Sequence, residues 1–132
     1  MRSIFSALLA GALALSCAVS ASAESLRAKA NSVTPVGFFY SYLPLGYGCA
    51  TAGKPKVRIL RAPEHGELRT EWRKSTLGHA GGCAGKPGGG LAVWYIPQKG
   101  YHGPDKFRFM MSTAGFGAST NSKDWGYNVT VE

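Results

Sequence analysis

The sequence has few acidic residues and no long apolar run beyond its N-terminus. Seven Asp and Glu stand against 15 Lys and Arg in 132 residues, and the only two Asp are Asp105 and Asp124. A calcium site needs several oxygen ligands, so two Asp this far apart in sequence argue against one. After residue 23, no apolar stretch approaches the roughly 20 residues that span a bilayer. We therefore do not expect an integral membrane protein.

The signatures of several enzyme classes are also missing. Glu67 and Glu71 share one face of a predicted strand, but they lie about 13 Å apart at strand rise. Glycosidase carboxylate pairs use roughly 5–9.5 Å. There is no Gly-x-Ser-x-Gly motif, and the run 81–87 lacks the first glycine and the final Ser or Thr of a phosphate-binding loop. We expect no enzymatic activity, no cofactor and no small-molecule substrate.

Residues 1–23 have the features of a cleavable export signal. Arg2 gives a basic start, an apolar stretch runs from Ile4 to Val19, and Ala21-Ser22-Ala23 supplies the small residues of a cleavage site. Lipoprotein cleavage before Cys17 is the alternative, and it is disfavoured because the third residue upstream is Ala rather than Leu. Cleavage after residue 23 leaves 109 residues, which suits one domain. The protein is expected to be periplasmic or secreted.

Cleavage leaves two cysteines, Cys49 and Cys83. Disulfides persist in exported proteins, so these two are expected to form one structural bridge. Closing a loop of about 35 residues would stabilise the fold by roughly 4 kcal/mol in the chain-entropy model. The alternatives are a redox pair or a metal thiolate pair. Neither has support, because there is no C-x-x-C and no His or second Cys at ligand spacing.

Glycine, proline and aromatic residues dominate what is present. The chain has 18 Gly and 7 Pro, which interrupt it too often for long helices. Alternating polar and apolar residues predict about six strands, with a seventh if the N-terminal arm joins a sheet. The predicted strands cover 36–42, 56–61, 67–72, 91–97, 105–111 and 125–132.

The alternation also predicts which side chains face the core and where the loops lie. Residues expected to point inward are Phe38, Tyr40, Tyr42, Phe107, Phe109, Met111, Trp125, Tyr127, Val129 and Val131. Strands 56–61 and 67–72 are predicted to form a hairpin, whereas 43–55 and 73–90 are predicted loops. Residues 24–35 are expected to form an arm that either caps a sheet edge or stays mobile. The predicted fold of residues 36–132 is an all-β antiparallel sandwich.

Three segments carry a resemblance to a known family. These are the strand-turn-strand segment 57–68, the segment 94–109 with its Tyr-x-Pro strand end, aromatic-x-Gly turn and Asp-x-Phe, and the closing strand 127–131. Together they resemble the bacterial immunoglobulin-like, cadherin-like domains that occur as tandem repeats in secreted and surface proteins. The resemblance implies an immunoglobulin-like β-sandwich with an adhesive or spacer role. This chain departs from the family as a single, basic copy with two added cysteines.

The charge balance favours anionic partners. Without Arg2 the mature chain has 14 Lys and Arg against 7 Asp and Glu, a net charge of +7 with His neutral. Rows of cations on predicted strands are expected to form one basic face, with a solvated surface as the alternative. The candidate polyanion-binding residues are Lys56, Arg58, Arg69, Lys106 and Arg108. The three histidines, His65, His79 and His102, fall in predicted turns or loops and are not expected to form a metal site.

These observations predict a non-enzymatic binding or structural module of the bacterial envelope. Its basic face would bind an anionic glycan, a lipid or a protein partner. The alternative is a small secreted effector or inhibitor whose Gly-rich loop, 78–90, engages another protein. A minor alternative is a metal-handling periplasmic protein that uses the loop histidines.

Overall fold

The strands of this chain form two principal sheets and one small hairpin. The computed structural model describes residues 22–45, 48–77, 83–115 and 117–132, and for 44, 45 and 48–51 it describes the backbone alone. The strands are β1 (Glu24–Ala28), β2 (Thr34–Tyr40), β3 (Tyr42–Leu45), β4 (Gly48–Thr51), β5 (Lys56–Arg61), β6 (Gly66–Thr76), β7 (Pro87–Pro97), β8 (Gly103–Ala114) and β9 (Thr120–Val131). The all-β prediction is confirmed.

The strand order separates the chain into a four-stranded sheet, β1-β9-β8-β5, and a three-stranded sheet, β2-β7-β6. All neighbours pair in an antiparallel manner except β1, which runs parallel to β9. The antiparallel sandwich was predicted for residues 36–132, and the described strand pairs within that range are antiparallel, whereas the parallel pair is made by the arm. The strand count exceeds the six or seven expected, because segment 43–55 contains β3 and β4, which pair with each other rather than forming only a loop.

The core lies between the two sheets and is built from aromatic rings. Phe39 of β2 meets Phe109 and Trp125 of the opposite sheet at ring-centroid distances of 5.2 and 4.7 Å. Tyr95 of β7 lies 5.9 Å from Phe107 of β8. These contacts across the gap give the chain its sandwich-like architecture, with edge-to-face and offset-stacked ring pairs that add to the burial of apolar area.

The alternation predicted for β8 and β9 is confirmed. Phe107, Phe109 and Met111 are buried, as are Tyr127, Val129 and Val131, whereas Trp125 is partly exposed and packs against the same core. The two strands pair over twelve residues from Gly103↔Val131 to Ala114↔Thr120. Regular pairing keeps one face inside from Asp105 to Met111 of β8 and from Tyr127 to Val131 of β9, which is why a period of two identified both rows.

The face predicted for β2 is wrong. Phe39 packs into the core, whereas Phe38 and Tyr40 lie together on the other side of the strand with ring centroids 4.9 Å apart. A register shift between Pro35 and Gly37 accounts for the difference. An extra residue in one strand of a pair reverses the side on which every later side chain lies.

The predicted hairpin of strands 56–61 and 67–72 is also wrong. β5 pairs with β8 in the four-stranded sheet, and β6 pairs with β7 in the three-stranded sheet. The turn at 62–65 therefore crosses from one sheet to the other. The backbone N–H groups of Glu64 and His65 each donate to a carboxylate oxygen of Asp105 at 3.0 Å, which fixes the crossing.

The segment predicted as a long glycine-rich loop, 73–90, belongs to strands at both of its ends. β6 continues to Thr76 and β7 begins at Pro87, with Lys74↔Gly89 and Thr76↔Pro87 in register. Larger neighbouring side chains pack directly against these glycines. A Cβ on Gly89 would lie 2.5 Å from the Trp72 ring, and one on Gly90 would lie 2.4 Å from the Phe38 ring. The remaining connection includes 78–82, outside the described residues.

The N-terminal arm joins a sheet edge. β1 lies along β9 with Glu24 opposite Tyr127 and Ala28 opposite Val131. Burial, followed by the nearby charge of Glu24 and a hydrogen bond to it, raises the pKa of Tyr127 to about 12. The Ala30 N–H donates to the Glu132 carbonyl at 2.7 Å, and the Glu132 N–H donates to the Ala28 carbonyl at 2.8 Å. Residues 1–21 of the predicted signal, 1–23, lie outside the described residues.

Candidate functional site

The outer face of the four-stranded sheet carries most of the predicted basic residues. Lys56 and Arg58 lie on β5, and Lys106 and Arg108 lie on the neighbouring β8. Arg58 is opposite Met110 and Lys56 is opposite Ser112, so these side chains share the face that lies away from Phe107, Phe109 and Met111. We call Lys56, Arg58, Lys106 and Arg108 the basic face.

The members of the basic face differ in their freedom to bind an anion. Arg108 is half-buried and forms an ion pair with Asp124 on β9, whose Gly126 leaves room beside the Arg108 side chain. Lys56, Arg58 and Lys106 are exposed. Cations held in water-accessible rows attract polyanions through their combined field, and salt weakens that attraction.

Arg69 does not share the basic face, because β6 belongs to the other sheet. It lies opposite Trp94 of β7, and its guanidinium carbon is 4.9 Å from the indole centroid. Arg73 approaches the same ring at 4.9 Å and also binds both carboxylate oxygens of Glu71, at 3.1 and 3.2 Å. That hydrogen-bonded pair lowers the pKa of Glu71.

The stack of Arg69, Trp94 and Arg73 was not predicted from the sequence. Its signal is the outward position of Trp94 on a strand whose alternate residues Val93 and Tyr95 are buried. Because Glu67 and Glu71 lie on the same side of β6 as the two arginines, the charges of that surface balance. Arg69 is therefore part of a locally neutral surface, while the basic face lies on the opposite side of the sandwich.

Asp105 is a buried carboxylate with a structural set of hydrogen bonds. It is 8% exposed and accepts hydrogen bonds from the N–H groups of Glu64, His65 and Lys106 and from the Tyr95 hydroxyl at 2.8 Å. Burial alone would raise the pKa of Asp105, but the hydrogen bonds outweigh it and the pKa is lowered. Burial, followed by the bond to Asp105, raises the pKa of Tyr95. Asp105 therefore holds the crossing turn in place.

A cleft of about 520 Å³ opens at the end of the basic face beside this turn. His65 and Tyr101 stack at one wall, with ring centroids 4.0 Å apart and planes within 6° of parallel. The remaining polar lining comes from both the turn and the basic side of β8 and β9: Glu64, Asp105, Lys106, Asn128 and Thr130. Lys106 and Asn128 are paired in register, so the cleft is continuous with the basic face.

Only some of the cysteine and histidine side chains named in the predictions lie among the described residues. Cys83 is 2% exposed, whereas the side chain of Cys49 lies outside the described residues, so their bridge stays a prediction. His79 also lies outside them, and His102 is exposed. Within the described part of the chain, no three His, Cys, Asp or Glu side chains converge as metal ligands would.

None of the described residues belongs to a helix long and apolar enough to cross a membrane. Comparison of the sequence with protein-family models and with curated proteins, and of the fold with solved structures, finds no match.

Proposed function

We propose that this protein is an exported, non-enzymatic module of the immunoglobulin-like type whose basic face binds a polyanion of the bacterial envelope. The observation that carries the proposal is the placement of Lys56, Arg58 and Lys106, which are exposed on adjacent strands of one sheet. These three cations come from segments 50 residues apart in sequence, and the pairing of β5 with β8 brings them to one surface.

The strand order supports the immunoglobulin-like part of the proposal. Constant-type immunoglobulin domains pair strands C, F and G in one sheet and A, B, E and D in the other. Here β5, β8 and β9 occupy the C, F and G places, and β2, β7 and β6 occupy the B, E and D places. Two departures are the hairpin β3–β4 between the B and C places and the pairing of β1 with β9. The proposed Cys49–Cys83 bridge would tie that hairpin to the segment before β7.

The alternative function, a loop that inserts into another protein, receives less support. Gly88, Gly89 and Gly90 belong to β7 and accommodate Leu77, Trp72 and Phe38. These glycines are therefore used for close packing within the three-stranded sheet. Only 77–86 connect β6 to β7, which shortens the segment that could enter a partner's cleft.

The proposal is tested by reversing charge on one sheet at a time. Arg58→Glu with Lys106→Glu removes two cations from the basic face, and Arg69→Glu with Lys74→Glu makes the same change in net charge on the other sheet. We expect the first pair to weaken binding to an anionic polysaccharide about tenfold or more at low salt, and wild-type affinity to fall steeply as salt increases.

The matched pair separates a located surface from general charge. If both double variants lose affinity equally, net charge alone attracts the polymer and the basic face is not a site. If the wild-type protein binds no polyanion at low salt, the proposed function is wrong. Unfolding curves of both variants check that they remain folded.

A further inference from the structure

The cleft beside His65 and Tyr101 combines a stacked aromatic wall with hydroxyl, amide and charged groups. We propose that it binds a single acidic sugar unit, of the uronic acid type, within a glycan held along the basic face. This inference rests on the proposed function, because the cleft opens from the same surface through Lys106 and Asn128.

The polar groups of the cleft suit the hydroxyls of a sugar. The Asn128 amide supplies both donors and an acceptor, and the Thr130 hydroxyl supplies one donor and an acceptor. Both residues are exposed on β9 and line the cleft. Glu64, which also lines the cleft, adds carboxylate oxygens that accept from hydroxyl groups. A phosphate or sulfate group has no ring of hydroxyls to satisfy this combination.

The stacked pair gives the cleft an apolar wall. His65 and Tyr101 are half-buried, and the Tyr101 hydroxyl donates to the Pro104 carbonyl, which holds the phenol ring in place. The backbone N–H of His65 donates to the Asp105 carboxylate, which holds the backbone of His65 in place. A wall fixed before binding loses little conformational entropy when a sugar packs its C–H face against it. Small-molecule sites commonly combine such apolar walls with a few placed polar groups.

The charges around the cleft orient an acidic sugar. The Asp105 oxygens are already shared among four donors, and Glu64 faces Arg61 at 3.7 Å. Lys106 is exposed at the side where the cleft meets the basic face. The carboxylate of the sugar is therefore expected at the Lys106 ammonium, with its hydroxyls toward Asn128, Thr130 and Glu64.

The test compares two polyanions that share charge but not hydroxyl-bearing rings. The mature protein is titrated with a polyuronate and with inorganic polyphosphate of similar charge, at one fixed salt concentration. Asn128→Ala with Thr130→Ala removes the sugar-directed groups. Asn121→Ala with Thr120→Ala is the matched control, since it makes the same exchanges at exposed positions of β9 away from the cleft.

We expect Asn128→Ala with Thr130→Ala to raise the dissociation constant for polyuronate about fivefold or more and to leave that for polyphosphate unchanged. The control pair should change neither value. Glucuronate titrated alone should shift the His65 and Tyr101 ring signals in NMR spectra of the wild-type protein. Equal polyuronate binding by both double variants, or loss of affinity for both polymers together, would overturn the sugar site.

Failure of this inference and failure of the proposed function give different results. If the sugar site is wrong but the basic face is right, both polymers still bind and both lose affinity in the Arg58→Glu, Lys106→Glu variant. If the proposed function is wrong, neither polymer binds the wild-type protein, or that variant is no weaker than the Arg69→Glu, Lys74→Glu pair.

Discussion

The two sheets of this sandwich use the same inner aromatic packing but differ in how their strands are built. In the four-stranded sheet β8 pairs with β9 without a register shift, and large side chains fill the inner face of the sheet. The three-stranded sheet places three consecutive glycines in its central strand and fills the space above them with Leu77, Trp72 and Phe38 from neighbouring segments. The paired strands β8 and β9 each supply large inward side chains, whereas the glycines of β7 are packed by side chains of its own neighbours β2 and β6 and by Leu77.

The outer surfaces of the two sheets differ in the contacts of their cations. On the four-stranded sheet Lys56, Arg58 and Lys106 are exposed and available to an external anion. On the three-stranded sheet Arg73 is engaged by Glu71, and both it and Arg69 approach the Trp94 ring. Arg108 is the member of the basic face that pairs within the fold, with Asp124. The proposed binding surface lies on the four-stranded sheet because its other three cations are exposed together.

The largest expected effect is at the centre of the four-stranded sheet. Phe109 is 0% exposed and contacts Phe39, Trp125 and Tyr127. Phe109→Ala should lower the free energy of unfolding by about 3–5 kcal/mol, because it leaves a cavity that the surrounding rings cannot fill. Phe38→Ala, on the outer face of the other sheet, should cost clearly less. Urea unfolding monitored by fluorescence measures both, and equal losses would contradict the assignment of inner and outer faces.

The same contrast explains how much of the fold the sequence predicted. In β8, and in β9 from residue 127 onward, the period of two holds, so it predicts the inward positions of Phe107, Phe109, Tyr127 and Val129. In β2 the irregularity near Pro35 moved Phe39 inward, and no local pattern announces such a shift. The glycines at 88–90 predict a loop, because nothing local shows that side chains of β2 and β6 and of Leu77 pack against them.

The candidate site was predictable in the same uneven way. Lys56, Arg58, Lys106 and Arg108 alternate with apolar residues, so their outward position followed from the pattern. Arg69 alternates equally well, but the pattern does not say which sheet a strand joins. The short turn at 62–65 predicts a hairpin, whereas the backbone N–H groups of Glu64 and His65 donate to Asp105, about 40 residues away in sequence.

Asp105 links the two sheets and has the next largest expected effect. It lies on β8 of one sheet and accepts from the Tyr95 hydroxyl on β7 of the other. Asp105→Asn turns an amide NH₂ toward two donors, so it should cost about 2–4 kcal/mol at neutral pH. Tyr95→Phe, which removes one of the four bonds and no charge, should cost less. Thermal and urea unfolding at pH 7 measure both variants.

The stabilising contribution of Asp105 should also depend on pH. Its pKa is lower in the folded protein than in the unfolded chain, so the unfolded state binds more protons as the solution becomes acidic. The contribution is fully present above about pH 5 and is lost as the pH falls through the folded pKa. The stability difference between wild type and Asp105→Asn should therefore narrow below about pH 4. A gap that stays constant to pH 2 would contradict a buried, ionised carboxylate.

The smallest expected effect tests whether β7 requires glycine where side chains of its neighbouring strands pack against it. A Cβ on Gly90 would lie 2.4 Å from the Phe38 ring and 2.8 Å from the Phe39 carbonyl oxygen. Gly90→Ala should therefore lower the free energy of unfolding by about 1–3 kcal/mol, since the carbonyl belongs to the backbone of β2 and cannot move without disturbing the pairing.

Gly126→Ala is the matched exchange on the four-stranded sheet, where the atoms nearest to the added Cβ lie at 3.8 Å. It should leave stability unchanged or slightly raise it, because alanine lowers the entropy of the unfolded chain. If both exchanges leave the free energy of urea unfolding unchanged, the close packing against Gly90 does not require glycine there. If adding Phe38→Ala to Gly90→Ala recovers part of the loss, the ring itself is the group that requires glycine at this position.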